Sequence, residues 1–356
     1  MITRQPVSFI QLLGGENIEQ QMHEIEEQVK LAVKKFAVSI NSGSKVVADM
    51  SSLIEVTSKL PLSNLDFWER LIRWELSSAL ESTYQPKWKI WKKPSQFLTW
   101  LDLISWDGYK REKTLRTLNG AAPNSFFFAL AFRRLNDWVP QVREAAREKL
   151  PIIASASNPA HVIEALCCTL SHWNSWGRIG KLEKKALLGM VSNKEMGEAL
   201  KHKITTSPSG PITSLFAQVG RTTVLDKYLS EIAQNAVQPS VRAKAYRSQL
   251  EGRMVWLEGR KWEWTNIQYC EGRLKPIVGQ RKLNIDIPFL ELLNMSSTDR
   301  SPIVRRVAAE FLIRELDSLG DDSLRLAHIF ASDKSLSVAE RGMFVLKRIE
   351  GMEYDL

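Results

Sequence analysis

Basic and aromatic side chains interleave in four short stretches of the chain. Trp88 and Trp91 stand among Lys87, Lys89, Lys92 and Lys93, and Trp106 precedes Lys110 and Arg111. Trp173 and Trp176 precede Arg178; Trp262 and Trp264 follow Arg260 and Lys261, with Arg273 and Lys275 a few residues on. Ammonium and guanidinium groups hold carboxylates or phosphates, and an indole adds a broad apolar face with a single N–H donor. The combination suits an acidic protein partner. It equally suits nucleic acid, whose phosphates the cations hold while indoles stack on bases. Large aromatics also fill the ridges between packed helices. Trp68, Trp74 and Trp100 read that way, whereas Trp88, Trp91, Trp262 and Trp264, flanked by charge, fit either role.

Other chemistries find no matching pattern. His23, His161, His172, His202 and His328 are scattered, and none sits at metal-ligand spacing with a Cys or carboxylate; His172, four residues from Cys168, fits packing or solvent exposure. No Gly-x-Ser-x-Gly elbow or Cys/His setting for a nucleophile occurs. Gly177-Arg178-Ile179-Gly180-Lys181 lacks the glycine spacing of a phosphate loop and follows no strand. Cys167 and Cys168 fall among Val162, Ile163, Leu166 and Leu170, where Cys behaves as a small hydrophobe. The sequence therefore calls for no cofactor or metal and gives no positive sign of catalysis.

The 356 residues exceed one compact core, and fit two domains or an elongated array. Three Cys make no disulfide framework, which points to a reducing, cytoplasmic setting. No apolar run reaches the roughly 18–20 residues of a membrane span, and Met1 to Gly15 lacks the long apolar segment of a signal peptide. The net charge of +9 is unevenly placed: residues 1–85 carry −3, residues 86–282 carry +16 and residues 283–356 carry −4. A basic centre between mildly acidic ends favours an acidic partner there; it also fits a long helical array with one side solvated by Lys and Arg.

Helical periodicity runs through the chain. Ile18 to Ile40 places Met22, Ile25, Val29, Ala32, Val33 and Phe36 at steps of three and four. A second helix through Leu53 to Leu60 and a third over Leu65 to Leu80 complete an N-terminal helical segment, residues 1–85. From residue 86 a repeat emerges. Turns at Asp107, Asp137 to Arg143, Val237 to Arg242, Asp299 to Arg305 and Asp333 to Val338 each open a helix. With Lys110, Val142, Val241, Val304 and Val338 equivalent, the separations are 32, 99, 63 and 34, near one, three, two and one repeat lengths. Val304, Val307, Ala308, Phe311 and Leu312 form an apolar stripe that one helix pair cannot bury alone, so neighbouring pairs must stack.

The pattern Asp-x-x-x-x-Val-Arg-x-x-Ala-x-x-x-Leu with Pro in the turn, seen at Asp137–Leu150 and Asp299–Leu312, resembles the HEAT repeat, over roughly residues 95–356. The resemblance implies an all-α fold, a right-handed α-solenoid of about seven or eight helix pairs in the armadillo-like helical class. It also implies that Asp137, Arg143, Asp299 and Arg305 form a structural ladder between adjacent turns. Residues 253–282, rich in Arg, Lys and Gly, interrupt the helical phase and are the favoured partner contact, and Trp262-Glu263-Trp264 hints at a short strand; residues 258–284 read as a repeat or as a non-repeat insertion. The expected function is a binding scaffold that docks an acidic protein, with DNA binding as the alternative. Some DNA glycosylases that remove alkylated purines are built of HEAT-like repeats with a basic face. Such an enzyme is the third and less favoured expectation: Asn174 stands where the aromatic-aromatic-Asp cluster of those enzymes wants an acid in His172 to Trp176, and Asp107 after Trp106 has a structural reading in a repeat turn.

Overall fold

The three-and-four spacing of apolar residues does become helix. A computed structural model describes residues 15–41, 48–82, 98–170 and 173–353, and among them sixteen α-helices accompany one two-stranded sheet. The protein is thus mostly helical. The helices fall into two compact units: residues up to Cys168 with Arg178–Ala186, and Thr169–Gly177 with Leu187 onward.

The first unit begins with α1 (Gly15–Asn41), α2 (Ser51–Thr57) and α3 (Leu65–Ser82). Here α1 packs on α2 and α3, burying Val29, Ala32, Val33 and Phe36 with Trp68 and Ile72. A 3-10 run, Trp100–Ile104, precedes α4 (Gly108–Thr117), followed by α5 (Ser125–Arg133), α6 (Pro140–Ala156), α7 (Pro159–Leu170) and α8 (Lys181–Met190). The last two helices each have residues in both units. Every residue of α5 from Ser125 to Phe132 is buried, because this helix is apolar all round and has neighbours on several sides, α3, α6 and the 3-10 run among them. Each of its four Phe side chains contributes roughly 1.5–3 kcal/mol of burial free energy. Local chemistry sets the starts: Asp107 accepts from the Tyr109 N–H, Asn124 from the Phe127 N–H, and Pro140 occupies the first turn of α6. Beyond Leu150, α6 runs through Pro151 to Ala156, held by buried Ile153 and Ala154.

The second unit holds α9 (Lys194–Thr206), α10 (Ile212–Val219), α11 (Leu229–Asn235), α12 (Pro239–Leu250), the strands β1 (Arg253–Asn266) and β2 (Glu271–Lys282), α13 (Phe289–Ser297), α14 (Pro302–Arg314), α15 (Asp321–Ala331) and α16 (Leu336–Glu353). Antiparallel helix pairs are joined by short turns, and the second helices stack, α12 on α14 and α14 on α16. The stripe Val304, Val307, Ala308, Phe311 and Leu312 is buried as expected. At Gly342 the backbone of α15 approaches so closely that an added Cβ would lie 2.2 Å from the Ala331 nitrogen.

Two sequence readings change here. The separation of 63 residues between Val241 and Val304 is not two repeats, because α12 packs directly on α14. A β-hairpin fills the extra length. It is also far longer than the Trp262-Glu263-Trp264 hint, pairing Arg253 with Lys282 at its root and Asn266 with Glu271 at its tip. Glycines and charges interrupt its apolar alternation, which hides a strand from a period-two reading.

Candidate partner-binding site

One arginine geometry recurs in four turns. Arg111, Arg143, Arg242 and Arg305 all stand three residues into their helices α4, α6, α12 and α14. Each donates from Nη1 to carbonyls just before its own helix: Arg111 to Ser105 and Trp106 at 2.7 and 3.0 Å, Arg143 to Asp137 and Trp138 at 2.8 and 3.3 Å, Arg242 to Ala236 and Val237 at 2.8 and 3.2 Å, and Arg305 to Asp299 at 2.9 Å. Three of them then reach the following turn with Nε and Nη2. Arg111 holds Asp137 at 2.9 and 2.7 Å, Arg242 holds Asp299 at 2.9 Å twice, and Arg305 holds Asp333 at 2.6 and 2.8 Å. Such two-point pairs fix orientation as well as contributing energy.

Each acid also accepts the N–H two residues on: Val139, Ser301 and Ser335. Burial pushes the Asp137 carboxyl up. The hydrogen bonds from Arg111 and Val139 and the charges of Arg134 and Arg111 outweigh it, leaving the group below the ordinary carboxylate value. Asp333 is likewise held low, chiefly by the hydrogen bond from Arg305.

Around these rungs the first unit presents exposed indoles. Trp106 and Trp138 are each 77% exposed and occupy equivalent turn positions, two residues before the helix starts at Gly108 and Pro140. The Arg73 guanidinium lies 4.4 Å from the Trp106 ring centre, fixed by Glu69 and the Ile104 carbonyl. That of Arg178 lies 3.7 Å from Trp138.

In the second unit the hairpin root is locked to helices. Met254 is fully buried beside Gly220, and Arg281 bonds the Gly220 and Thr222 carbonyls and the Asp226 carboxylate. Arg221 packs over both Trp173 and Trp256, at 4.9 and 5.3 Å. Burial lowers its pKa against the opposing pull of Glu258, and Gln218 bonds it.

Past the bulge between Leu257 and Gly259 the ribbon has two unlike faces. Arg260, Trp262 and Trp264 oppose Pro276, Leu274 and Gly272, so these six share one face, and Leu257 opposite Val278 continues it towards the root. Trp262 lies against Gly272, where a Cβ would sit 2.5 Å from the ring, and meets Trp264 edge-on at 5.5 Å. This face is uncovered: Trp262, Trp264, Leu274 and Val278 are 46, 54, 56 and 59% exposed. The other face is ionic. Glu263 accepts from Lys275 at 3.1 Å and pairs with Arg273 at 3.5 Å.

The sequence candidates therefore meet different fates. Lys87, Trp88, Lys89, Trp91, Lys92 and Lys93, like His172, lie outside the described residues. Lys110 pairs with Asp102, and Arg111 is buried in a rung. Arg273 and Lys275 pair with Glu263. Arg178, Arg260 and Lys261 reach no carboxylate among the described residues. The hairpin brings Arg260, Trp262 and Trp264 together; Arg178 and Lys110 belong to the first unit. Trp68 and Trp100 are buried as expected, but Trp74 is largely exposed, because it lies on the side of α3 opposite Trp68 and Ile72. Arg73 and Arg221 were missed; both pair with aromatics more than thirty residues away in sequence, a contact that no local pattern reveals. Among the described residues no group of three or more His, Cys, Asp or Glu could hold a metal ion, and no helix is long and apolar enough to cross a membrane. Comparison with family models, with curated proteins and with solved structures gives no match for this chain.

Proposed function

We propose that this chain is a non-catalytic docking scaffold, a right-handed α-solenoid of seven HEAT-like helix pairs whose hairpin binds an acidic protein in the cytoplasm. The recurrent arginine geometry and the stacking of second helices support the repeat reading. The seven pairs run from the 3-10 turn with α4 to α15 with α16. One observation carries the docking reading: the apolar face formed by Trp262, Trp264, Leu274, Pro276 and Val278 is exposed, although the root beneath it is anchored. Contiguous exposed apolar surface of this kind marks protein contact. Arg260 and Lys261, with no carboxylate of their own, give the partner its acidic character.

Nucleic acid is the second reading, favoured by one feature: a two-stranded ribbon fits a major groove, and unpaired cations beside indoles suit a strand. A single experiment separates the two. Proteins retained by the full chain from native cells are identified beside those retained by a Trp262→Ala/Trp264→Ala variant, and duplex and single-stranded DNA are titrated against both. The docking reading expects an acidic protein that the wild type retains and the variant loses, with DNA binding weak in both. Micromolar DNA affinity with a steep salt dependence, abolished by the same variant, overturns it.

A further inference from the structure

We infer that Arg143, with Arg178 laid on Trp138, forms a receptor for a carboxylate supplied from outside the chain. Three closed rungs set the pattern. In each, the arginine is fixed through Nη1 to its own turn, and its Nε–Nη2 edge meets an Asp placed three residues before the next second helix: Asp137 before Pro140, Asp299 before Pro302, Asp333 before Leu336. Arg143 is anchored by the same carbonyl contacts. Its Nε and Nη2 meet no acceptor among the described residues.

The position that should supply the acid, three residues before Lys181, holds Arg178. Its backbone N–H is bonded to the Asn136 side chain at 3.0 Å, which brings it to the turn in question, and its guanidinium lies over the Trp138 ring, 3.7 Å from the ring centre. The rung is therefore reversed in charge: a preset two-donor edge, a second cation beside it, and an exposed indole as floor. An edge that holds a carboxylate three times elsewhere in the chain is built for a planar pair of oxygens. The occupant that fits is an Asp or Glu side chain of a protein partner, whose neighbouring residues would cover Trp138 and Trp106. This site adds a contact to the docking reading and rests on its class of partner, but its geometry lies wholly in the first unit and owes nothing to the hairpin.

The test uses the full chain and an end-capped hexa-aspartate peptide followed by calorimetry. Arg143→Gln is expected to weaken binding at least fivefold, and Trp262→Ala/Trp264→Ala to leave most of it. Arg178→Asp would close the rung from within: peptide binding falls and the Tm rises by about 2–4 °C, the shift of roughly 1 kcal/mol in a unit of this size. Arg143→Gln in the same chain then removes that rise, which separates rung closure from a general charge effect. Unchanged peptide affinity in Arg143→Gln, or an Arg178→Asp chain no more stable than wild type, overturns the site. Binding of a single-stranded hexanucleotide in preference to the peptide overturns the carboxylate assignment. Loss of peptide binding in the hairpin variant alone places the acid on the hairpin and leaves only the function proposed above.

Discussion

Two rungs of the same design reach opposite ends. Arg242 and Asp299 are 57 positions apart with a complete β-hairpin between them, yet the pair closes at 2.9 Å on both bonds. Between Arg143 and the equivalent position, Arg178, no strand intervenes, and the rung stays open. Distance along the chain is thus irrelevant to whether neighbouring turns couple; the residue three places before the next second helix decides it. A closed rung tightens the stack. An open one leaves a guanidinium edge with donors to spare, which is where a partner gains a foothold.

The contrast can be broken most forcefully at its closed end. Arg242 is almost wholly buried, and Arg242→Ala strands Asp299, so a loss of about 3–5 kcal/mol is expected in denaturant unfolding. Arg143→Ala, with no carboxylate to strand, should cost under about 1 kcal/mol; equal losses at the two sites would erase the distinction. Acid comes next. The folded-state pKa values of Asp137 and Asp333 lie below their ordinary values. Their contribution is therefore present at neutral pH and drains as pH falls below about 4 towards the folded values. Asp333→Asn should flatten part of the fall in Tm across that range, and Arg143→Ala should leave it unaltered. The smallest expected effect is at the hairpin tip. Cys270 is the one non-Gly residue with positive φ among the described residues, +53°. Cys270→Gly should therefore stabilise by up to about 1 kcal/mol while leaving the rungs untouched.

The helix starts at Pro140 and Pro302 were legible in sequence because their turn chemistry is the same: Pro at the first helical turn, Asp three residues before it, Val-Arg after. Those residues fix local backbone, and local backbone carries the pairing geometry with it. The meaning of the 63-residue interval was not legible. A hairpin and a repeat occupy similar lengths, and a ribbon with Gly259, Gly272 and Gly279 shows no clean alternation. The hairpin's two faces depend on a bulge at Glu258, which brings Trp262 and Trp264 to the same side as Leu257 and Val278; spacing alone assigns neither face. Clusters of basic residues were the weakest guide. Lys110, Arg111, Arg273 and Lys275 read as available cations, and tertiary contacts with Asp102, Asp137 and Glu263 consume all four. Arg178 kept its freedom because the fold put an arginine where its siblings have aspartate.

The Leu283 N–H donates to the Gly252 carbonyl at 2.8 Å, so the ribbon leaves α12 and returns at a single spot. Such a pinched neck lets the outer length vary without α12 or α14 registering the change. The excursion behaves as an interchangeable tool on a fixed handle: residues beyond Gly259 and Ile277 can be shortened, extended or exchanged for foreign sequence, and the helices behind them have no means of noticing.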